Sequence, residues 1–190
     1  VLLDASCPAH TQRLLPAGLF REPISSLSRC QVVMLTRVDQ AKEIELEHLR
    51  HEVRRANPQA LLVEATHKPQ SLICYPNDSP PLLETLKGQK VLAFCGIGNA
   101  NSFFDALETQ GCTVLDRRRW PDHHAYTGED VAEIGKWASE YEADYLVCTV
   151  KDWVKLQTRK INNVKLLALR IELSIKRGEE ELAVEIEKLL

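Results

Sequence analysis

Two segments gather residue types that move protons or hold phosphate. Trp120-Pro121-Asp122-His123-His124 sets an aspartate beside a histidine on a loop that begins at a proline. A carboxylate next to an imidazole can make an oriented proton-transfer pair. Adjacent histidines do not easily share one metal ion, so no metal site is read here. A solvent-facing loop with ordinary histidines explains the same residues. The second segment, Arg13 to Pro23, holds Arg13 and Arg21 on a backbone stiffened by Pro16 and Pro23 and turned by Gly18. A rigid loop offering guanidinium groups suits a phosphate oxyanion, and Glu22 can hold a metal or orient an arginine. Pro23 keeps Glu22 out of a helix. The plain alternative is a structural loop with a surface ion pair.

Three further segments sit where a strand meets a turn. Val33 to Asp39 ends a buried run in Thr36-Arg37-Val38-Asp39. Ligands of open α/β sheets lie at such carboxyl ends, and Asp39 is also expected to cap the next helix. Phe94-Cys95-Gly96-Ile97-Gly98-Asn99-Ala100-Asn101 half-resembles a dinucleotide fingerprint. Asn101 stands at the third glycine, and only Asp116 offers an acidic residue after the next strand, so a tight strand-to-helix turn is the better reading. In Thr149-Val150-Lys151-Asp152, Lys151 could neutralise a ligand phosphate. Thr149 or Asp152 is otherwise a helix cap.

These segments need a scaffold. Continuous apolar, β-branched runs at 1–5, 31–36, 90–95, 112–115 and 144–149 read as buried strands. Helices are expected from Asp39 to about Ala56, from Asn99 to Gly111, after the capping box Thr127-x-x-Asp130, and over 179–190 with Leu182, Ile186 and Leu189 on one side. Extended runs at 60–69 and 164–174 could pair as a two-stranded connector, and 76–81 is a loop. Alternating strands and helices predict an α/β fold with mostly parallel sheets.

The 190 residues allow one large domain or two small ones. A net charge of −3 leaves general nucleic-acid binders behind, so no nucleic-acid partner is expected. The six cysteines form no C-x-x-C pair, which favours reduced thiols in an intracellular setting and gives no zinc site. No run of 18 apolar residues exists in the chain. Val1-Leu2-Leu3-Asp4 reads as a strand in full flow without a leading Met, so an incomplete N-terminus is expected.

Taken in order, Val1-Leu2-Leu3-Asp4-Ala5, Leu14-Leu15-Pro16-Ala17-Gly18-x-x-Arg21-Glu22-Pro23, Gly96-Ile97-Gly98-Asn99, Pro121-Asp122-His123-His124 and Lys151-Asp152 resemble the tetraacyldisaccharide 4'-kinases of lipid A biosynthesis. The resemblance implies a partial P-loop kinase-like parallel sheet, a smaller Rossmann-like C-terminal domain and a two-stranded linker. It divides the chain into a P-loop core remnant (1–59), a linker strand and loop (60–86), the Rossmann-like domain (87–163), and a returning strand with a terminal helix (164–190). It implies transfer of the ATP γ-phosphate, with Mg²⁺, to the 4'-hydroxyl of a lipid disaccharide 1-phosphate at the cytoplasmic face of the inner membrane. His123 matches the histidine that supports the family's catalytic aspartate, Asp122 would orient it, and His124 is the alternative member of the pair. Arg21 and Glu22 match residues near the nucleotide phosphates and metal.

The family's Walker loop, catalytic aspartate and membrane-contacting N-terminus have no counterpart in these residues. Pro8-Ala9-His10-Thr11-Gln12 replaces a Phe-Gly-Asn-Gly stretch, and Cys148-Thr149-Val150 replaces Thr-Thr-Glu. The isolated chain is therefore expected to be inactive as a kinase. A non-catalytic sugar-phosphate or lipid-phosphate binding domain is the alternative.

Overall fold

The computed structural model describes residues 1–7, 13–18, 20–75, 79–156 and 158–188. The expectations for 8–12, for 76–78 and for Leu189 lie outside the described residues. The fold is α/β with mostly parallel strand pairing. The chain forms two compact units, Val1–His67 with Leu173–Leu190, and Lys68–Glu172.

In the first unit, β1 (Leu2–Asp4), β2 (Val32–Thr36) and the start of β3 (Leu61–Ile73) lie side by side in parallel. Alternate residues of β2 point to opposite faces, as the strand pleat requires. Val33 and Leu35 pack under α1 (Glu43–Ala56) against Leu46, Leu49 and Val53, while Met34 packs with Val63, Ala65 and Leu182. Leu182 belongs to α5 (Glu179–Glu187), which follows the left-handed Gly178. A Cβ at Gly178 would approach the Leu62 carbonyl oxygen at 3.2 Å. Glu64 is buried, and both its oxygens meet Arg50 of α1, at 2.8 Å each.

The Asp39 cap is not formed. Asp39 lies in a short 3-10 turn, Val38–Gln40, entered through a left-handed Arg37 (φ 55°), and α1 starts only at Glu43. Glu43 and Glu45 in the first turn provide the negative charge that the helix dipole favours there.

In the second unit the strand order is β8 (Val164–Arg177, first part), β6 (Tyr145–Thr149), β4 (Lys90–Cys95), β5 (Thr113–Arg119). All three pairings are parallel, and β7 (Lys160–Ile161) adds antiparallel to β8. Both faces are buried, which explains the continuously apolar runs. Val91, Ala93, Cys95 and Val147 face α2 (Ala100–Glu108) with Phe103, Phe104 and Leu107. Leu92, Phe94, Leu146 and Cys148 face α3 (Gly128–Ser139) with Ile134, Trp137 and Ala138. The Thr127/Asp130 capping box starts α3 as read from sequence. The two long strands β3 and β8 are neighbours in the strand order.

Candidate functional site

The carboxyl ends of β4, β5 and β6 share one edge of the second unit because the three strands are parallel. The chain runs from β4 through α2 to β5 on one side, then through α3 to β6 on the other. Open α/β sheets bind ligands at such a switch point. The edge is built from three loops. The turn after β4 carries Gly96 and Gly98, and Asn99 caps α2 by accepting from the Ser102 amide at 3.2 Å. The loop after β5 carries Pro121 to His124. The segment after β6 carries Thr149 and α4 (Val150–Leu156), in which Asp152 is fully buried.

His123 points outward, with 84% of its side chain exposed, on a backbone of φ 61°. Left-handed φ is uncommon away from glycine and collects at functional sites. Two acceptors hold it there: the Gly96 carbonyl at 3.2 Å and Asp122 Oδ1 at 3.0 Å, both bonded to the His123 amide. Asp122 Oδ2 stands 3.8 Å from His123 Nε2, within ion-pair range but beyond a hydrogen bond. Asp122 thus fixes the His123 backbone. His124 has a different setting. Its ring packs edge-on to Tyr126 at 5.1 Å and lies beside Trp120, and Nε2 stands 3.1 Å from Asp130 Oδ2. Its carbonyl accepts from Lys155 Nζ at 2.8 Å.

The glycine turn is narrow for a reason the fingerprint did not anticipate. A Cβ at Gly96 would lie 3.2 Å from Asp152 Oδ1, and one at Gly98 would lie 3.4 Å from Asp122 Oδ2. Two carboxylates therefore lie directly against the glycine turn. Asp116 is held by the Trp137 indole at 2.8 Å and the Tyr141 hydroxyl at 3.1 Å. The Trp137 hydrogen bond is the largest influence lowering its pKa. The three arginines before the loop are not free either. They lie in β5, where Arg117 pairs with Glu108, Arg118 with Glu133 at 2.7 Å, and Arg119 with Asn101, and each guanidinium covers an aromatic ring. Burial, then Asp152, raises the Cys95 thiol to about 11, so it behaves as a small core residue.

Arg21 and Glu22 belong to the first unit. Their loop is closed by backbone bonds from the Leu15 amide to the Phe20 carbonyl and from the Phe20 amide to the Arg13 carbonyl, each 2.9 Å. Both line a cavity of about 520 Å³ with Asp4, Cys7, Phe20 and Arg29. Glu22 is bound by Arg29 at 2.5 Å, whereas Arg21 is exposed and has no side-chain partner among the described residues. In the same unit Asp4 accepts from Ser6 and from Arg37. Arg37 Nε, Thr66 Oγ1 and His67 Nδ1 are buried with no hydrogen-bond partner among the described residues. Burial, then the Arg37 charge, lowers the His67 pKa. Sequence reasoning singled out Arg37 but not Thr66 or His67, which lie inside an unremarkable strand.

A family model described as tetraacyldisaccharide-1-P 4'-kinase (LpxK) matches residues 1–190. The chain belongs to the tetraacyldisaccharide-1-P 4'-kinase family. A tetraacyldisaccharide 4'-kinase of Anaeromyxobacter sp. strain Fw109-5 is 36% identical over all of this chain and 51% of its own length. One from Desulfatibacillum aliphaticivorans is 35% identical over 95% of the chain and 49% of its own length. One from Halothermothrix orenii is 32% identical over 99% and 52%. The chain thus spans about half the length of these curated 4'-kinases. A crystal structure of Aquifex aeolicus LpxK, the "apo" form in complex with ATP, superposes with a TM-score of 0.63 at 22% identity. It covers 98% of this chain and 50% of that one, which establishes a shared fold.

Proposed function

We propose that this chain is the C-terminal part of a kinase that transfers the γ-phosphate of ATP to the 4'-hydroxyl of a tetraacyldisaccharide 1-phosphate in lipid A biosynthesis. The observation that carries this reading is the match of all 190 residues to a family whose members are named for that reaction. In the reaction the 4'-oxygen attacks phosphorus, the bond to the β–γ bridging oxygen breaks, and the hydroxyl proton leaves to a base. Such transfer depends on positioning and on neutralising charge.

Arg21 supplies a guanidinium that no carboxylate among the described residues has claimed, which suits a phosphate oxygen. His123, exposed and rigidly mounted, assists removal of the hydroxyl proton, and Asp122 fixes its backbone. His124 serves the packing of Trp120 and Tyr126. The Asp4–Arg37 cluster lies at the carboxyl ends of β1 and β2, where open α/β sheets bind ligands, which supports a contact with the nucleoside part of ATP.

Mg²⁺ fits the described residues poorly on its own. They contain no cluster of three or more His, Cys, Asp or Glu able to hold a metal, and Glu22 is already paired with Arg29. Mg²⁺ usually combines one or two carboxylates with substrate phosphates.

The sequence holds no G-x-x-x-x-G-K-[ST] loop, so the β- and γ-phosphates lack the backbone cradle that P-loop enzymes use. The isolated chain is inactive on this reading, and the active protein works at the cytoplasmic face of the inner membrane, meeting its lipid through a part beyond these residues. Among the described residues no helix is long and apolar enough to cross a membrane. The test is an assay for phosphoryl transfer from ATP to the lipid disaccharide, run on the isolated chain and on a protein joining it to a Walker-loop half. Turnover is expected only from the latter. Lipid-phosphate binding by the joined protein without turnover would instead support the non-catalytic domain.

A further inference from the structure

Asp152 is fully buried, and sequence reasoning gave it no role beyond a helix cap. Its two oxygens each lie 3.2 Å from the Gly96 amide, and Oδ2 accepts from the Thr149 hydroxyl at 2.6 Å. The Thr149 hydroxyl in turn accepts from the Asp152 amide at 3.2 Å. The capping is therefore done by Thr149, which leaves the Asp152 carboxylate free to reach across to a neighbouring strand's turn. A buried carboxylate is costly unless its hydrogen bonds are supplied, so its donors are fixed in place. The residue it holds is the one whose carbonyl holds His123. Gly96 takes Asp152 on its N–H side and gives its oxygen to the His123 amide at 3.2 Å. The Gly96 residue is thus clamped from one side and presents the strained His123 backbone from the other.

We propose that Asp152 is a positioning residue for His123, acting through the Gly96 main chain. The catalytic part of this inference rests on the kinase reading of His123; the mechanical part does not. Losing the clamp lets the β4–α2 turn drift, and the φ 61° conformation of His123 then relaxes toward ordinary backbone. A displacement of about 1 Å in a reacting group can cost roughly 100-fold in rate.

The experiment has two readouts. In the chain itself, hydrogen exchange is followed by NMR at the Gly96 and His123 amides and at α3 amides as an internal control. D152A should speed exchange at Gly96 and His123 by about tenfold or more while α3 is unchanged. D152N, which keeps one acceptor for the Gly96 amide, should have a smaller effect. Unchanged exchange at His123 in D152A would overturn the proposal.

In the joined kinase, kcat and KM for ATP are measured for D152N, H123A and the double variant. D152N should lower kcat by about 10- to 100-fold with KM for ATP held within about twofold. The double variant should match H123A alone, because a residue acting through His123 has nothing left to position. Losses that multiply in the double variant would show a general structural role and overturn positioning. An inert D152N beside an impaired H123A would overturn it too, leaving the kinase reading intact. An unimpaired H123A with accelerated His123 exchange in D152A would remove His123 from the reaction while the mechanical link stands.

Discussion

Replacing Gly96 and Gly128 separately with alanine makes the same chemical change in two opposite settings. Neither residue has a left-handed φ, so alanine is admissible to the backbone at both. In each case alanine narrows the unfolded ensemble, which stabilises by about 0.4–1 kcal/mol. At Gly128, the first residue of α3, the new Cβ meets nothing within 4 Å among the described residues, so that gain stands alone. At Gly96 the Cβ lies 3.2 Å from Asp152 Oδ1, 3.2 Å from the Pro121 carbonyl oxygen and 3.4 Å from His124 Cβ. None of these is the loose end of a flexible side chain, because Asp152 is pinned by Thr149 and Pro121 and His124 form the neighbouring loop. Overpacking of this kind costs about 1–3 kcal/mol and exceeds the entropic gain, for a net loss of about 0.5–2 kcal/mol. For a chain of this size, Tm should fall by about 1–8 °C in G96A and rise by about 1–4 °C in G128A. Thermal unfolding followed by circular dichroism reads both. If G96A melts at or above the wild-type temperature, the close packing of Asp152 on the glycine turn is wrong.

Replacing Arg50 with methionine strands the buried Glu64 carboxylate and should cost about 3–5 kcal/mol in urea unfolding, whereas R50M/E64L should come back to within about 1 kcal/mol of wild type. A double variant as unstable as R50M alone would contradict this. The Thr127 amide and hydroxyl, with a smaller share from His124, lower the Asp130 carboxyl to about 2. Because the folded value is depressed, the capping box contributes fully above the ordinary carboxylate range and loses its contribution as pH falls from about 4 towards 2. NMR titration should place Asp130 near 2 and move it upward in T127A, which keeps the amide but removes the hydroxyl; an unmoved value would refute the hydroxyl's share.

Much of this architecture was legible because burial writes itself into residue type. The strand at 90–95 is legible to its ends, since every position after the exposed Lys90 is apolar and buried. The capping box of α3 was legible because its partners are three residues apart. What escaped depends on distant contacts. Cys112 to Leu115 looked like the whole of β5, yet the strand runs on through the three arginines to Arg119, because aromatic rings and carboxylates from α2 and α3 support them. Asp39 looked like a cap, but the turn at Arg37 displaces the helix start. The proton-transfer loop was legible as a segment, and its geometry was not. The link from Asp152 to Gly96 joins residues 56 apart, so no local pattern signals it. The same holds for Thr66 and His67, whose polar atoms are notable only because they are buried without partners among the described residues.

The most direct test of the kinase account is steady-state phosphorylation of the tetraacyldisaccharide 1-phosphate by the joined protein, comparing wild type with R21A and H123A. Losses in kcat/KM of about 100-fold or more are expected for each, with folding unchanged by circular dichroism, because a lost charge-neutralising or proton-handling group is felt in the transition state. Wild-type rates in both variants, or turnover by the isolated 190 residues, would contradict it.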